Sequence, residues 1–176
     1  MSMAYFHQAV RDRIRTVLIT LPLFFNLLWL SADVMADSFP PPLILQGVSS
    51  TGEHIKLELS RNELEQLPQN KITTPLPWIP QPSTFKGVRL QTLLDHFHLS
   101  GQRFTLSALN DYSVTLSRHY IDKYDPLLAI TQDGHYMKVR DYGPYWLVMS
   151  IHDHPEVAEH HHLAKMIWQL TTIEAH

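Results

Sequence analysis

In PLLAITQDGHYMKVR, Pro126 to Arg140, two apolar segments meet at Asp133-Gly134. A two-residue connection of that type accepts positive φ at both positions and matches the twist of paired strands, so the stretch commits the chain to an antiparallel hairpin. The same grammar of short segments and turn residues recurs along the chain. HIKLELS sets Ile55, Leu57 and Leu59 against His54, Lys56 and Glu58, the alternation of a half-buried strand. Ser60 with Glu63 then forms a capping box that opens a short helix, closed by Pro68. GVRLQTLLDHFHLSG carries Leu90, Leu93, Leu94 and Phe97 at helical spacing and predicts a core-facing helix that stops at Gly101. FTLSALNDYSVTLS alternates on both sides of Asn110-Asp111, SRHYIDKY reads as a helix capped by Ser117, and YWLVMSI reads as one more strand. Many short strands with a few short helices, and no regular strand-helix alternation, predict an α+β domain built on mixed sheets.

The first 36 residues are expected to stand apart from that domain. AVRDRIR supplies three arginines ahead of an uncharged run from Thr16 to Ala32, and Val34-Met35-Ala36 fits a small-x-small cleavage site. Residues 1–36 are therefore read as a secretory signal and residues 37–176 as the domain, placing it in the periplasm. The alternative is an uncleaved anchor, which a run of about 17 residues interrupted by Pro22 and Asn26 suits poorly. SFPPPL then forms a stiff lead-in.

Composition narrows the chemistry. The net charge of -3 and scattered Lys and Arg give no surface for a phosphate backbone, so nucleic acid is not an expected partner. The chain has no cysteine, which removes disulfides, thiolate nucleophiles and thiolate-ligated metals. Twelve histidines are present, five of them in HDHPEVAEHHH. His152, His154 and His160 or His161 suggest zinc or copper, but adjacent histidines cannot all face one ion on a helix and no i, i+4 pair occurs, so the segment reads as a polar linker. Joint protonation of these groups on acidification is a further possibility.

In this order, the segment from about Leu43 to Glu174 resembles the oxidoreductase molybdopterin-binding domain shared by sulfite oxidases and the periplasmic methionine sulfoxide reductase. The resemblance is carried by FKGVRLQTLLDHF, ALNDYSVTL, PLLAITQDGHYMKVRDYGPYWLV and KMIWQLTTIEA. It implies a sulfite oxidase-like fold. In catalytic members a cysteine just before the F-x-G-V-x-L element ligates molybdenum; the corresponding region here, NKITTPLPWIPQPSTFKG, has none. The chain is more similar to a small, exported, cysteine-free branch, through Thr74-Pro75, Pro77-Trp78, Leu109 to Tyr112 and Met137 to Trp146. It departs from that pattern at Leu76-Pro77 and at Ser150. This likeness implies a non-catalytic pterin-binding protein, without molybdenum, that relays occupancy to the periplasmic domain of a membrane diguanylate cyclase or phosphodiesterase of cyclic-di-GMP signalling. The alternatives are an oxidoreductase that holds molybdopterin without a cysteine ligand, and a metal-binding protein using the histidines.

A pterin presents an amino group and an N–H that donate, beside O4 and N5 that accept. Asp141 suits the donors and Arg140 the acceptors, provided that the strand breaks at Gly143-Pro144 so that both neighbours reach one ligand. Two solvated surface charges are the alternative. A flat ring also needs faces, and Trp78, Tyr112, Tyr142 and Trp146 lie in the same segments. Trp78, in the proline-rich PLPWIPQP, is the first choice for stacking, Trp146 suits the core, and Asn110 either meets the ligand or interrupts the strand.

Overall fold

The computed structural model describes residues 40–176. The expected leader and its cut after Ala36 lie outside the described residues. The domain is mixed α+β: two sheets with a few short helices.

The first sheet contains β1 (Leu43–Ser49), β2 (His54–Leu59), β5 (Leu99–Ser100), β6 (Arg103–Ala108), β7 (Ser113–Ser117) and β11 (Leu170–Ala175). Its order is β2-β1-β11-β6-β7, with β5 added to β1. β1 and β11 run parallel and the remaining neighbours antiparallel, so the first and last strands of the described chain lie together at the centre. The second sheet holds β3 (Gln69–Thr74), β4 (Ser83–Arg89), β8 (Leu127–Gln132), β9 (His135–Tyr136) and β10 (Trp146–Val148), in the order β10-β8-β4-β3 with β9 on β8. All its pairings are antiparallel.

Within this second sheet, β10 and Leu127–Ile130 of β8 are buried on both faces. Along β8, Leu128 and Ile130 enter a main core with Leu43, Leu45, Phe104, Leu106 and Ile173 of the first sheet. Leu127 and Ala129 enter a second core with Phe85, Trp146, Val148 and Met149. A strand whose alternate residues are all buried must read as a continuous apolar run, which is why LLAI shows no alternation. Helices α1 (Arg61–Gln66) and α2 (Leu90–His96) add Leu64, Leu90, Leu93 and Leu94 to the main core, while α3 (Arg118–Tyr124) gives Ile121 to one core and Tyr124 to the other.

The local signals settle as the sequence dictates. Ser60 Oγ accepts from the Glu63 amide while Glu63 reaches back to Ser60, completing the capping box, and these bonds hold the Glu63 carboxyl below its usual range. Ser117 Oγ accepts from the Tyr120 amide at the start of α3. Asp133 and Gly134 take φ of 50° and 82° in the β8–β9 turn.

Three expectations need correction. Gly87, Val88 and Arg89 belong to β4, and α2 begins at Leu90. A Cβ on Gly87 would strike the Leu128 carbonyl, so glycine is required for β4 and β8 to approach. The helix ends at His96 with Phe97 as its cap, and His98 at φ 52° turns the chain away before Gly101. Finally, the Asp-Gly hairpin pairs only through His135–Tyr136; Val139–Asp141 is a 3-10 turn in which the Asp141 and Gly143 amides both donate to the Lys138 carbonyl, and β10 is only three residues long.

Candidate functional site

A cavity of about 570 Å³ opens beside the second core. Three stretches far apart in sequence build it. The β3–β4 loop supplies Pro77 and Trp78, the β6–β7 turn supplies Asn110 and Tyr112, and the one-turn helix α4 (His160–Leu163) with the turn and bends after it supplies His160, Leu163, Ala164, Met166, Ile167 and Trp168.

Each stretch is anchored. Thr74, fully buried, accepts from the Ile151 amide at 2.9 Å where the β3–β4 loop leaves the sheet, and Leu76 drops into the second core. Asn110 Oδ1 accepts from the Tyr112 amide at 3.2 Å, the short turn that a strand interruption needs, with Asp111 at φ 63° beside it. Tyr112 Oη donates to the Ala164 carbonyl at 2.9 Å and the Leu109 amide to the Gln169 carbonyl at 3.0 Å, so the β6–β7 turn is tied to the third stretch at two points. Ser150, a departure noted in the sequence, is buried and its Oγ accepts from the Asp153 amide.

The inner wall is aromatic. Trp78 meets Trp168 edge-on at 5.4 Å between ring centroids and lies tilted against Trp146 at 6.0 Å. Tyr142 stacks on Trp146 at 4.6 Å and meets Trp168 edge-on at 5.6 Å. Trp146 is fully buried and its indole N–H donates to the Met166 carbonyl at 3.0 Å, satisfying the one polar atom that burial would otherwise strand. Full burial of Trp146 contributes about 2–3 kcal/mol, while Trp78, Tyr142 and Trp168 are half-buried.

The sequence-derived residues thus divide. Trp78, Asn110 and Tyr112 line the cavity. Tyr142 and Trp146 back it, one layer behind. Arg140 and Asp141 do not line it: they pair with one another at 3.5 Å, at 76% and 64% side-chain exposure, and Asp141 borders a separate shallow depression with Asp133, His135 and Tyr136. The turn that carries them does touch the site indirectly, because Gln169 Nε2 donates to the Val139 carbonyl at 2.6 Å and the Gln169 amide to the Tyr142 carbonyl.

The chain matches no protein-family model and, at a significant level, no curated protein.

The third stretch is what the sequence did not flag as part of a site. Trp168 had one available signal: a large aromatic ring between the end of a helical turn and a strand, next to Gln169 at φ 53°, where neither period assigns it to a core face. His160 was hidden among its neighbours. The five histidines of that region do not behave alike. His152 pairs with Asp153 at 3.1 Å and, with the Ser150 hydroxyl, holds that carboxyl low; His161 pairs with Glu159 at 3.5 Å. His162 is buried, which a solvated linker does not provide for. Among the described residues, no group of three or more His, Asp or Glu is placed to hold a metal ion.

Chemically, the site offers a mostly apolar lining and two exposed polar groups, the Asn110 amide and the His160 imidazole. Apolar walls with a few polar groups are the general form of a small-molecule pocket.

Proposed function

We propose that the protein is a non-catalytic receptor for a pterin, held in this cavity, and that it works in the periplasm by relaying occupancy to the outer domain of a membrane diguanylate cyclase or phosphodiesterase. The observation that carries the binding half is the cavity faced by Trp78, Tyr112 and Trp168, whose size and aromatic walls suit a bicyclic heterocycle. The relay and the periplasmic location rest on the sequence resemblance and the arginine-led leader.

The donor set fits the ring's polar edge. The Asn110 amide N–H can donate to O4 or N5, and a neutral His160 imidazole can accept from the 2-amino group or N3–H. Arg140 and Asp141 then serve the turn beneath the site, and the edge recognition first expected of them falls to Asn110 and His160. The sulfite oxidase-like fold belongs to the same proposal. It is supported by the places its motif residues take: Gly87 where β4 crosses β8, Asp133-Gly134 at the hairpin, and Gly143-Pro144 leading into β10.

Turnover is not part of the reading. With no cysteine in the chain, no thiolate can fix molybdenum in the manner of the oxygen-transfer enzymes, so the pocket is read as recognition alone.

Calorimetric titration of neopterin, and of its tetrahydro form under nitrogen, tests the binding half. Saturable one-site binding is expected, weakened about tenfold in Trp168→Ala, the loss of one stacking contact of roughly 1–1.5 kcal/mol. No affinity for either pterin contradicts the proposal.

A further inference from the structure

The wall formed by α4 cannot hold itself. It is one turn long, Glu159 gives it no side-chain cap, and a single turn is far below the length at which a helix is stable alone. Besides the packing of Leu163 and Met166 at the second core, two hydrogen bonds from other elements hold it: Tyr112 on the Ala164 carbonyl, and a bond between Tyr120 Oη of α3 and His162 Nδ1 at 2.6 Å. His162 is 8% exposed, its ring stacked on Tyr120 and edge-on to Tyr124, while its helix neighbours His160, Leu163 and Ala164 face the cavity.

The proton inventory of that bond is asymmetric. Burial first, then Tyr124 and Glu156, push the Tyr120 phenol far above its usual value, so it stays protonated and can donate to Nδ1 in the Nε2–H tautomer of the neutral imidazole. Once His162 is protonated, both ring nitrogens are donors. Tyr120 must then accept, and its own hydrogen has only Met149 Sδ, at 3.4 Å, a weak acceptor. The charges around the ring do not rescue it. His161 and Lys165 of the same turn oppose a charge on His162, with Lys165 also over the Tyr120 ring, and His154, which precedes the Pro155–Ala158 turn, abuts Tyr124. Glu159 and Glu156 oppose them, but Glu156 is already paired with Lys123 of α3 at 3.4 Å. Burial, with His161 and Lys165, accordingly holds the imidazole below the ordinary histidine value.

We propose that the Tyr120–His162 hydrogen bond is a pH-sensitive latch on the cavity wall: protonating His162 frees α4, and ligand affinity falls as the medium acidifies. The ligand clause rests on the pterin reading; the latch does not. A histidine whose pKa is lower in the closed form binds more protons when open. The closed form therefore loses stability as pH falls below the ordinary value near 6.5 and down through the lowered one.

Amide hydrogen exchange of residues 162–166 in the ligand-free protein, corrected for intrinsic rates, reads the latch between about pH 7.5 and about pH 5.5. Protection is expected to fall by at least about threefold, with a ceiling of about tenfold one unit below the unshifted value. His162→Asn, which keeps an acceptor near the Nδ1 position but does not titrate, is expected to lose this response. Flat protection in the wild type overturns the latch, whatever the variants do, and an equal response in His162→Asn assigns it to another group and also overturns it. Neopterin titrations over the same range separate the two ideas. Exchange that responds while neopterin fails to bind at any pH sinks the receptor and leaves the latch; binding with flat exchange does the reverse.

Discussion

Trp78 lies on the cavity and Asp141 does not, and one pair of substitutions separates their roles. Trp78→Ala is expected to weaken neopterin binding about tenfold or more, since it removes a ring face and loosens the contacts with Trp168 and Trp146. Asp141→Ala removes an exposed ion pair and is expected to leave the affinity within about twofold, because such pairs contribute little. Calorimetry on both variants, with near-ultraviolet circular dichroism to show that each is folded, gives the comparison; the reverse order of effects would return the recognition to the Arg140–Asp141 turn. Tyr145 makes a different point. It is fully buried, its hydroxyl has no protein partner, and burial pushes its phenol up to about 12. Tyr145→Phe deletes a desolvated oxygen and nothing else, so urea unfolding is expected to show unchanged stability or a gain of up to about 1 kcal/mol.

Between elements, the tightest constraint is the crossing of β4 and β8. Gly87→Ala drives a methyl group into the Leu128 carbonyl at a register shift in the pairing, and the backbone, unlike a side-chain tip, cannot swing aside. A loss of about 3 kcal/mol or more, measured by thermal or urea unfolding, is expected. This crossing also shows where sequence reasoning reaches its limit. The capping box at Ser60, the Ser117 cap and the Asp133-Gly134 turn are legible because each is settled within four residues. The start of α2 was placed too early because Gly87-Val88-Arg89 is compatible with a helix until β8 is laid beside it. The same holds for the site. Trp78 stands out as a residue hard to explain by core packing and Asn110 and Tyr112 lie in one of the resemblance segments, whereas His160 and Trp168 become cavity residues only when Tyr112 reaches Ala164 and Leu109 reaches Gln169. Arg140 and Asp141 stand apart from the cavity: the turn at Lys138 carries both, paired and exposed, at the surface.

Over the whole described domain, the two ends of the chain meet. β11 lies between β1 and β6 at the centre of the first sheet, and Leu170 and Ile173 enter the main core. A chain shortened after Gln169 splits the first sheet into β2-β1 and β6-β7 halves, each with one bare edge. It is expected to lose cooperative unfolding altogether, and a sharp melting transition in that truncation would refute the central role given to the parallel β1–β11 pair. The cavity depends on the same closure, because its third stretch runs directly into β11. The central claim, a heterocycle pocket retained in a chain with no thiolate to bind molybdenum, is tested most directly by what the protein carries from the cell. Protein purified from periplasmic extract is denatured, released small molecules are assigned by mass spectrometry, and molybdenum, zinc and copper are measured on the same sample. The account predicts a pterin in near-stoichiometric amount without molybdenum. Stoichiometric molybdenum, or protein that neither carries a pterin nor binds added neopterin, would contradict it.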